Sequence, residues 1–295
     1  MVENSMDLAG RATMKLRPDA LSRRAALGLA AGAVATASAA SKAAAQTPET
    51  AVKHYIPIRL KPGADQLALD RWYMTFHAPE VRRAFKAWQR NYVSFRSYLP
   101  PAEAVARYGV WYGRMTEIQF DSIEHFRATR PNNIYGALQS FTPPPGGWTA
   151  NTLFDTETST IPVNPNELLV SRDTPPKELP YLRWIVFYKL PQGVTASQWD
   201  EWFGKTHAPE LSRAPGLKRF GAYRTVADQS YSRVAEFWFD GYAEWRAAFL
   251  EPEPKFTAPG WASSANARFP FAETISIFVG ENPDIDFIHD KRVIP

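Results

Sequence analysis

The sequence predicts an α+β fold in which one β-α-β-β-α-β unit occurs twice along the chain. The first observation is an internal repeat, because WYMTFHAPEVRR at 72–83 returns as WFGKTHAPELSR at 202–213. The second is the surrounding pattern, in which β-branched and aromatic runs of strand length alternate with apolar residues at helical spacing. Together they indicate two small antiparallel sheets, each with two helices on one face.

The likeness between the copies extends beyond this motif. With the motifs aligned, identical residues recur at positions that include Leu60, Gly63, Asp70, Trp72, His77, Ala78, Pro79, Glu80 and Arg83 of the first copy. Further along the chain the offset between the copies becomes smaller, and Phe95 and Tyr98 align with Phe220 and Tyr223. It then becomes smaller again, and Arg114 and Glu117 align with Arg233 and Glu236. Each change predicts an insertion in a connection of the first copy, so the pattern indicates a duplication.

The second copy shows the order of the elements. LRWIVFYKL at 182–190 predicts a strand, and an apolar helical face follows at Trp199, Trp202, Phe203 and Thr206. Pro215-Gly216 predicts the end of that helix. Two further strands, a helix and a last strand follow as KRFGAYR, SRVAEFWF, 242–250 and ETISIFVG. This order is that of the ferredoxin-like unit.

A single unit of this kind leaves one sheet face bare, and two such sheets can close on each other as a barrel with the helices outside. The unit order together with W-x4-H-A-P-E, present twice, resembles the EthD-like domains of the dimeric α/β-barrel superfamily, over about residues 53–280. The second copy is closer to that pattern, since it keeps Pro215-Gly216-Leu217 where the first copy has Ala84-Phe85-Lys86. The resemblance implies one pseudo-dimeric α/β barrel made by two fused ferredoxin-like repeats.

We therefore expect a first repeat at 46–160, a linker at 161–180, a second repeat at 181–280 and a C-terminal tail at 281–295. Residues 1–45 resemble a twin-arginine signal peptide, with Arg23-Arg24, a mildly apolar run at 25–40 and Ala43-Ala44-Ala45 before the expected cleavage site. An N-terminal amphipathic helix or membrane anchor is the alternative, although this run of mostly Ala and Gly is short for a membrane span. The prediction is a chain passed to the twin-arginine export machinery and soluble in the periplasm or otherwise outside the cytoplasm.

Charge and composition exclude several classes of protein. The whole chain has a net charge of +4, of which +3 lies in 1–45, so the expected mature chain is close to neutral and no basic patch indicates nucleic-acid binding. The chain has no cysteine, which excludes disulfides, thiolate metal sites and cysteine nucleophiles. No apolar run in 46–295 has the length of a stable membrane span.

The repeated histidines are the candidate catalytic residues. His77 and His207 lie four residues after Tyr73 and Phe203 on the predicted apolar helix faces, and each has a proline two residues later that should free a carbonyl and bend the helix. An imidazole in such a place can act as a general acid or base. The alternative is a buried histidine with a purely structural hydrogen bond.

Strand alternation predicts the lining of the barrel. Glu117 in the first copy and Val234, Glu236 and Trp238 in the second should face inward, whereas Ala235, Phe237 and Phe239 should lie under the helices. The same rule adds Met115, Gln119, Tyr98, Tyr223, Tyr55, Arg59, Phe187 and Lys189 to the inward-facing set. We expect the substrate-binding residues to be Tyr98, Tyr223, Glu117, Glu236, Trp238 and Arg59, around a small aromatic, lactone or polyketide-type ligand. The alternative is that Arg114 with Glu117, and Arg233 with Glu236, belong to ordinary ion pairs.

Other chemistries find little support in the sequence. The five histidines have no zinc-binding spacing, and no nucleophile elbow, phosphate loop or dinucleotide fingerprint occurs. Haem is an alternative that the resemblance raises, since dye-decolourising peroxidases share the superfamily, but their G-x-x-D-G is absent because Phe237 precedes Asp240-Gly241.

The sequence therefore favours an enzyme that needs no metal or other cofactor, a lyase, dehydratase or isomerase that moves a proton, with cofactor-free oxygenation also compatible. A haem-dependent oxidoreductase and a non-catalytic binding barrel are the alternatives. Which half is active, and whether the barrel forms homo-oligomers, stay open.

Overall fold

The computed structural model describes residues 51–85, 88–129, 141–155, 161–164, 174–226, 231–251 and 253–287. The first half of the chain contains the elements β1 (Val52–Arg59), α1 (Gln66–Trp72), α2 (Ala78–Phe85), β2 (Gln89–Arg96), α3 (Ala102–Tyr108), β3 (Val110–Trp111), β4 (Gly113–Phe120), α4 (Ile123–Ala128) and β5 (Ile161–Val163). The expected signal segment at 1–45 lies outside the described residues. No helix within the described ranges has the length and apolar character needed to cross a membrane.

The second half contains β6 (Leu182–Lys189), α5 (Ala196–Trp202), α6 (Ala208–Leu211), β7 (Arg219–Arg224), β8 (Tyr231–Phe239), α7 (Tyr242–Phe249), β9 (Thr274–Gly280) and β10 (Ile285–Asp286). Local sequence explains where the main helices begin. Asp65 accepts a hydrogen bond from the backbone N–H of Leu67 at the start of α1, and Thr195 forms a capping box with Gln198 at the start of α5.

The strands form two five-stranded sheets, with the orders β10-β2-β4-β1-β5 and β3-β9-β6-β8-β7. The order β2-β4-β1-β5 in the first sheet is repeated as β7-β8-β6-β9 in the second. Each sheet gains one strand from elsewhere in the chain, because β3 pairs with β9 in parallel and β10 pairs with β2. The predicted linker and tail thus each contain a short strand, β5 and β10.

Three apolar layers hold the sheets and helices together. One packs α1, α2 and α4 against the first sheet, a second packs α5, α6 and α7 against the second sheet, and a third lies between the two sheets. The predicted alternation of β8 is confirmed for Phe237 in the helix layer and Val234 in the layer between the sheets. Isolated β-bridges pair Ser97 with Val279 and Val163 with Thr225 across the sheet edges, but the strands form two separate sheets.

The two prolines after the histidines do not break their helices. Each is the second residue of its helix, α2 or α6, and follows a single π-helical turn, Tyr73–His77 or Phe203–His207. In both turns the backbone N–H that follows the histidine bonds five residues back, to the carbonyl of Tyr73 or Phe203. Each proline is thus accommodated where a π-helical turn passes into the next helix.

The strand register corrects one part of the internal alignment. Phe95 pairs with Met115, and Tyr223 pairs with Val234, the position equivalent to Met115 in the second copy. The counterpart of Tyr223 is therefore Phe95, and the predicted matches of Phe95 with Phe220 and of Tyr98 with Tyr223 are both wrong. Tyr98 lies beyond the end of β2, whereas Tyr223 lies within β7.

Candidate functional site

The tryptophan and glutamate of the repeated motif hold a loop across the histidine. In the first half, the indole Nε1 of Trp72 donates to the carbonyl oxygen of Thr142 at 3.1 Å. The carboxylate of Glu80 accepts from the backbone N–H of Thr142 at 2.9 Å and from its hydroxyl at 2.7 Å. We call the segment 141–148 the first strap, and it carries Trp148 to a position 6.3 Å from the His77 ring, between ring centroids.

The second half repeats this arrangement. Trp202 donates to the carbonyl oxygen of Thr257 at 3.3 Å, and Glu210 accepts from the backbone N–H of the same threonine at 3.0 Å. The segment 256–261, the second strap, places Trp261 at 5.5 Å from Trp202 between ring centroids. The straps have related sequences, FTPPPGGW and FTAPGW, and this second repeat is the signal by which the sequence could have revealed them.

His77 lies half-buried in an aromatic environment. Its ring stacks on Trp72 at 4.9 Å and 27° and tilts against Tyr73 at 5.0 Å, with Trp148 on a further side. Burial lowers the pKa of His77 to about 4, so the ring is neutral at neutral pH. Its Nδ1 is buried without a hydrogen-bond partner among the described residues.

His207 is enclosed completely. Its ring has no exposed surface and stacks on Trp202 at 4.5 Å and 17°. Four phenylalanine rings surround it at 5.4–5.7 Å, namely Phe203, Phe256, Phe269 and Phe271. Within the part of the chain that the structure describes, neither ring nitrogen has a hydrogen-bond partner, and burial lowers the pKa of His207 to about 3.

Hydroxyl groups distinguish the first half. The hydroxyl of Tyr73, next to His77, is hydrogen-bonded to the hydroxyls of Tyr92 at 2.8 Å and Thr116 at 2.6 Å. Thr116 donates onward to the hydroxyl of Ser94 at 3.1 Å, and Arg114 donates to Ser94 and to the carboxylate of Asp70. Burial raises the pKa of Tyr73, so this network is one of neutral hydroxyls.

The equivalent positions in the second half are apolar. By the alignment of the motifs and the strand register, Phe203, Phe220, Ala222 and Ala235 replace Tyr73, Tyr92, Ser94 and Thr116. The arginine and its aspartate do recur, as Arg233 and Asp200 at 2.6 Å. Arg114 and Arg233 therefore pair with aspartates on the helices rather than with the glutamates of their own strands.

A ring of four charged side chains lies between the two sheets. Lys53 lies 3.0 Å from Glu117 and 2.9 Å from Glu236, and Arg183 lies 2.6 Å and 3.3 Å from the same two carboxylates, between nitrogen and oxygen atoms. Tyr55 donates a hydrogen bond to Glu236. Each sheet supplies one cation and one carboxylate, so the ring is neutral overall and spans both sheets.

The electrostatics of the ring keep Glu236, Lys53 and Arg183 charged. Burial opposes ionisation of Glu236, but Lys53 and Arg183 outweigh it and lower the pKa of that carboxyl. Burial likewise opposes the charge of Lys53 and Arg183, yet both carboxylates raise the pKa of each cation above its usual value. The glutamates predicted to bind substrate are thus bound to cations of the protein itself.

The remaining predicted residues lie in three places. Trp238 packs on Arg183 at 5.1 Å between guanidinium and ring centroid, and Tyr223 lies in the layer between the sheets, where burial raises its pKa to about 12. Tyr98 is 49% exposed and lines a surface groove of about 390 Å³. Arg59 lies at the end of β1, 3.6 Å from Asp155. The structure brings Glu117, Glu236, Trp238 and Tyr223 together but leaves both histidines in the separate helix layers.

The described residues offer little to a metal or to haem. They contain no group of three or more His, Cys, Asp or Glu side chains placed to hold a metal ion. An axial haem ligand needs a histidine nitrogen that faces a cleft of porphyrin size. His207 has no exposed surface and is enclosed by Trp202 and four phenylalanine rings. His77 lies between Trp72, Tyr73 and Trp148. Neither histidine therefore faces a cleft of porphyrin size.

Comparisons with known proteins yielded only distant structural likenesses. No family model matches the sequence, and no curated protein matches it. An anthrone oxidase-like protein of known structure is 13% identical, with a TM-score of 0.46 over 81% of this chain and 93% of that one. An EthD family protein from Bacillus halodurans is 23% identical, with a TM-score of 0.26 over 35% of this chain and 99% of that one. A mutant chlorite dismutase from Candidatus Nitrospira defluvii is 7% identical, with a TM-score of 0.40 over 79% of this chain and 92% of that one. These scores do not assign the chain to a family.

Proposed function

We propose that the protein is a cofactor-independent enzyme, a lyase, dehydratase or isomerase, that transfers a proton on a small aromatic, lactone or polyketide-type compound. His77 is the proton-transferring group, and the active site lies in the first half, between α1, the first strap and the first sheet. His207, the other candidate, has a structural role in this proposal. The choice between the halves rests on the side chains around each histidine.

One observation carries the proposal. His77 combines a half-buried ring, an Nδ1 without a partner among the described residues, and a neighbouring network of hydroxyls that begins at Tyr73. His207 has the same motif around it but no exposed surface and apolar side chains in place of the hydroxyls. A general base must reach its substrate and must be neutral beforehand, and the surroundings of His77 favour both conditions.

The chemistry follows from the neutral imidazole. A nitrogen of His77 takes a proton from a carbon next to a carbonyl group, and the electron pair of the broken C–H bond moves to the carbonyl oxygen as an enolate. The imidazolium then returns the proton to another carbon, or to a leaving hydroxyl group. Isomerisation results in the first case and dehydration in the second, and neither requires an oxidant.

The proposal extends to the architecture. We propose that the chain is a fused pseudo-dimer of two EthD-like, ferredoxin-like repeats, one at 46–160 and one at 181–280, which together form one α/β barrel. The repeated strand order in the two sheets and the ring of charges that spans them support this. Export by the twin-arginine machinery, a periplasmic location and further homo-oligomers are parts of the same proposal, supported by the sequence alone.

Proton exchange tests the role of His77. The purified protein is incubated in D₂O with 2-tetralone, a bicyclic ketone with an activated CH₂ group, and loss of the proton signal is followed by NMR. We expect His77→Phe to reduce exchange to the rate without protein and His207→Phe, the matched control, to keep it. Exchange that depends on His207 alone would move the active site to the second half. Binding of the ketone without any exchange would favour the non-catalytic barrel.

A further inference from the structure

Two buried polar atoms without partners lie beside each other in the first half. They are Nδ1 of His77 and the indole Nε1 of Trp148, and neither forms a hydrogen bond within the described part of the protein. Their rings are 6.3 Å apart between centroids, at an angle of 61°. Buried polar atoms in native proteins are nearly always hydrogen-bonded. The indole Nε1 of Trp261 and the ring nitrogens of His207 are also unpaired within the described residues, but His207 has no exposed surface. A ligand can therefore supply the missing partners only in the first half, where His77 and Trp148 are half-buried.

Trp148 is held in this position from both sides. On one side, Thr142 is bound by Glu80 and Trp72. On the other, Asn151 accepts from the backbone N–H groups of Leu153 and Phe154, at 2.9 Å and 3.0 Å, and fixes the chain that leaves the strap. The indole is therefore positioned by the backbone of the strap.

The turn before Trp148 needs glycine. Gly146 has φ +88, and a Cβ atom there would lie 2.3 Å from the carbonyl oxygen of Ala150. The strap thus folds back on itself through hydrogen bonds between backbone groups, including that from the N–H of Thr152 to the carbonyl of Pro145 at 3.1 Å. This constrained turn directs the side chain of Trp148 toward His77.

We infer that Trp148 is a substrate-binding residue whose indole N–H donates a hydrogen bond to an oxygen atom of the ligand, next to His77. The substrate class is then a flat aromatic compound that carries a phenol, enol or ketone oxygen on the ring system. The inference rests on the proposed function and specifies its substrate. An indole N–H is a donor only, so it recognises an acceptor oxygen and gives no benefit to a hydrocarbon.

The discrimination between ligands follows from the cost of unpaired polar groups. A ring without the oxygen would leave the indole N–H and the imidazole Nδ1 buried and unpaired, as they are without ligand. A ring with the oxygen satisfies them. Trp72 is stacked between His77 and Phe154, so the accessible ring surface is that of the half-buried His77 and Trp148. This surface is the same for either compound, so the oxygen alone makes the difference.

The test is equilibrium dialysis with two probes, 2-naphthol and naphthalene, which differ by one hydroxyl group. Trp148→Phe removes the N–H and keeps a ring, and Trp261→Phe is the matched control in the second strap. We expect Trp148→Phe to weaken the binding of 2-naphthol by roughly tenfold and that of naphthalene by less than about twofold, as the loss of one hydrogen bond implies. Trp261→Phe should change neither. Circular dichroism confirms that both variants fold.

Equal weakening of both probes would mean that Trp148 only packs, and unchanged binding of 2-naphthol would mean that it does not contact the ligand. Failure of the native protein to bind 2-naphthol at all would also overturn the inference. Each of these results can occur while His77-dependent proton exchange is retained, so the inference and the proposed function fail separately.

Discussion

The two helix layers of the molecule share one motif and differ in what surrounds its histidine. Both layers have a π-helical turn, a strap held by tryptophan and glutamate, and an imidazole stacked on that tryptophan. Around His77 the neighbouring sheet presents hydroxyl groups, whereas around His207 it presents phenylalanine and alanine. The repeated motif therefore determines how the strap is held against the helix. The proposed proton transfer depends on residues that are not part of W-x4-H-A-P-E.

The largest expected effect concerns the ring of charges, which belongs to both halves and should not distinguish them. Arg183→Met leaves two buried carboxylates with one cation, and we expect the free energy of unfolding to fall by about 3–5 kcal/mol. Lys53→Met should have a similar effect, since it faces the same two carboxylates.

Urea denaturation at pH 7 measures both variants. Lys205→Met is the control, because Lys205 and its partner Glu201 are both exposed and solvent screens their ion pair, so its removal should hardly change stability. If the two ring variants unfold like this control, the charges do not join the sheets. A large difference between the two would show that the halves contribute unequally.

The next effect is a pH dependence to which His207 should contribute. Its pKa is about 3 in the folded protein and near 6.5 when unfolded, so between these values the unfolded state binds more protons and stability falls as pH falls. At pH 4.5 the loss relative to neutral pH should be about 2–3 kcal/mol from this residue.

His207→Phe should remove this contribution. Its midpoint of urea denaturation should change less between pH 7 and pH 4.5 than that of the native protein. His77→Phe should reduce the pH dependence by a similar amount down to pH 4.5, because that pH also lies above the folded-state pKa of His77, about 4. The two variants should differ only at lower pH. Identical pH dependence in the native protein and His207→Phe would contradict a sealed, neutral imidazole.

A reciprocal exchange sharpens the comparison between the layers. Phe203→Tyr introduces a hydroxyl where alanines replace Ser94 and Thr116, so it should stay unpaired and lower the free energy of unfolding by about 1–3 kcal/mol. Tyr73→Phe removes one hydroxyl from a network in which Thr116 keeps Ser94 as a partner but Tyr92 loses its bond to Tyr73, and a loss of about 1–2 kcal/mol is expected. Thermal unfolding shows which of the two variants is destabilised more. A larger loss of stability in Tyr73→Phe than in Phe203→Tyr would mean that the second helix layer accommodates a polar group.

The smallest effect tests the straps. Glu80→Gln weakens the two hydrogen bonds to Thr142, so His77 should react several-fold faster with diethyl pyrocarbonate, measured by mass spectrometry of the peptide. The stability change should be about 1 kcal/mol. Glu210→Gln makes the same change in the second strap and should leave the His77 rate unaltered. Equal rates for His77 in both variants would mean that the first strap does not shield it.

Much of the architecture could be predicted from the sequence, because periodicity and the internal repeat act over short stretches. The alternation in β8 and the position of both histidines on apolar faces followed from residue spacing alone. The match of Tyr98 with Tyr223 failed because one insertion was misplaced by three positions, and register within a sheet tolerates no such error.

The candidate site was harder to predict, because its parts are distant in sequence. Lys53 and Arg183 were missed, although they are equivalent in the two copies. Each lies two residues before a residue paired with a glutamate, Tyr55 with Glu117 and Ile185 with Glu236, and so shares the face of the glutamates. The straps were not identified from the sequence, since proline and glycine alone indicate a turn and not what it covers. The hydroxyl network could not be predicted at all, because it depends on which faces of three elements meet.

The exchange of edge strands has a consequence for dissection of the chain. β3, from the first half, is an edge of the second sheet, and β10, from the end of the chain, is an edge of the first. The guanidinium of Arg114 also binds Asp284, far away in the sequence. No single cut between the described halves therefore yields two self-contained fragments, since each would lose a strand and expose an unpaired edge. A smaller protein that keeps one sheet with its helices and motif histidine would have to be assembled from non-contiguous segments, for example by circular permutation. The two copies therefore depend on each other as one folding unit.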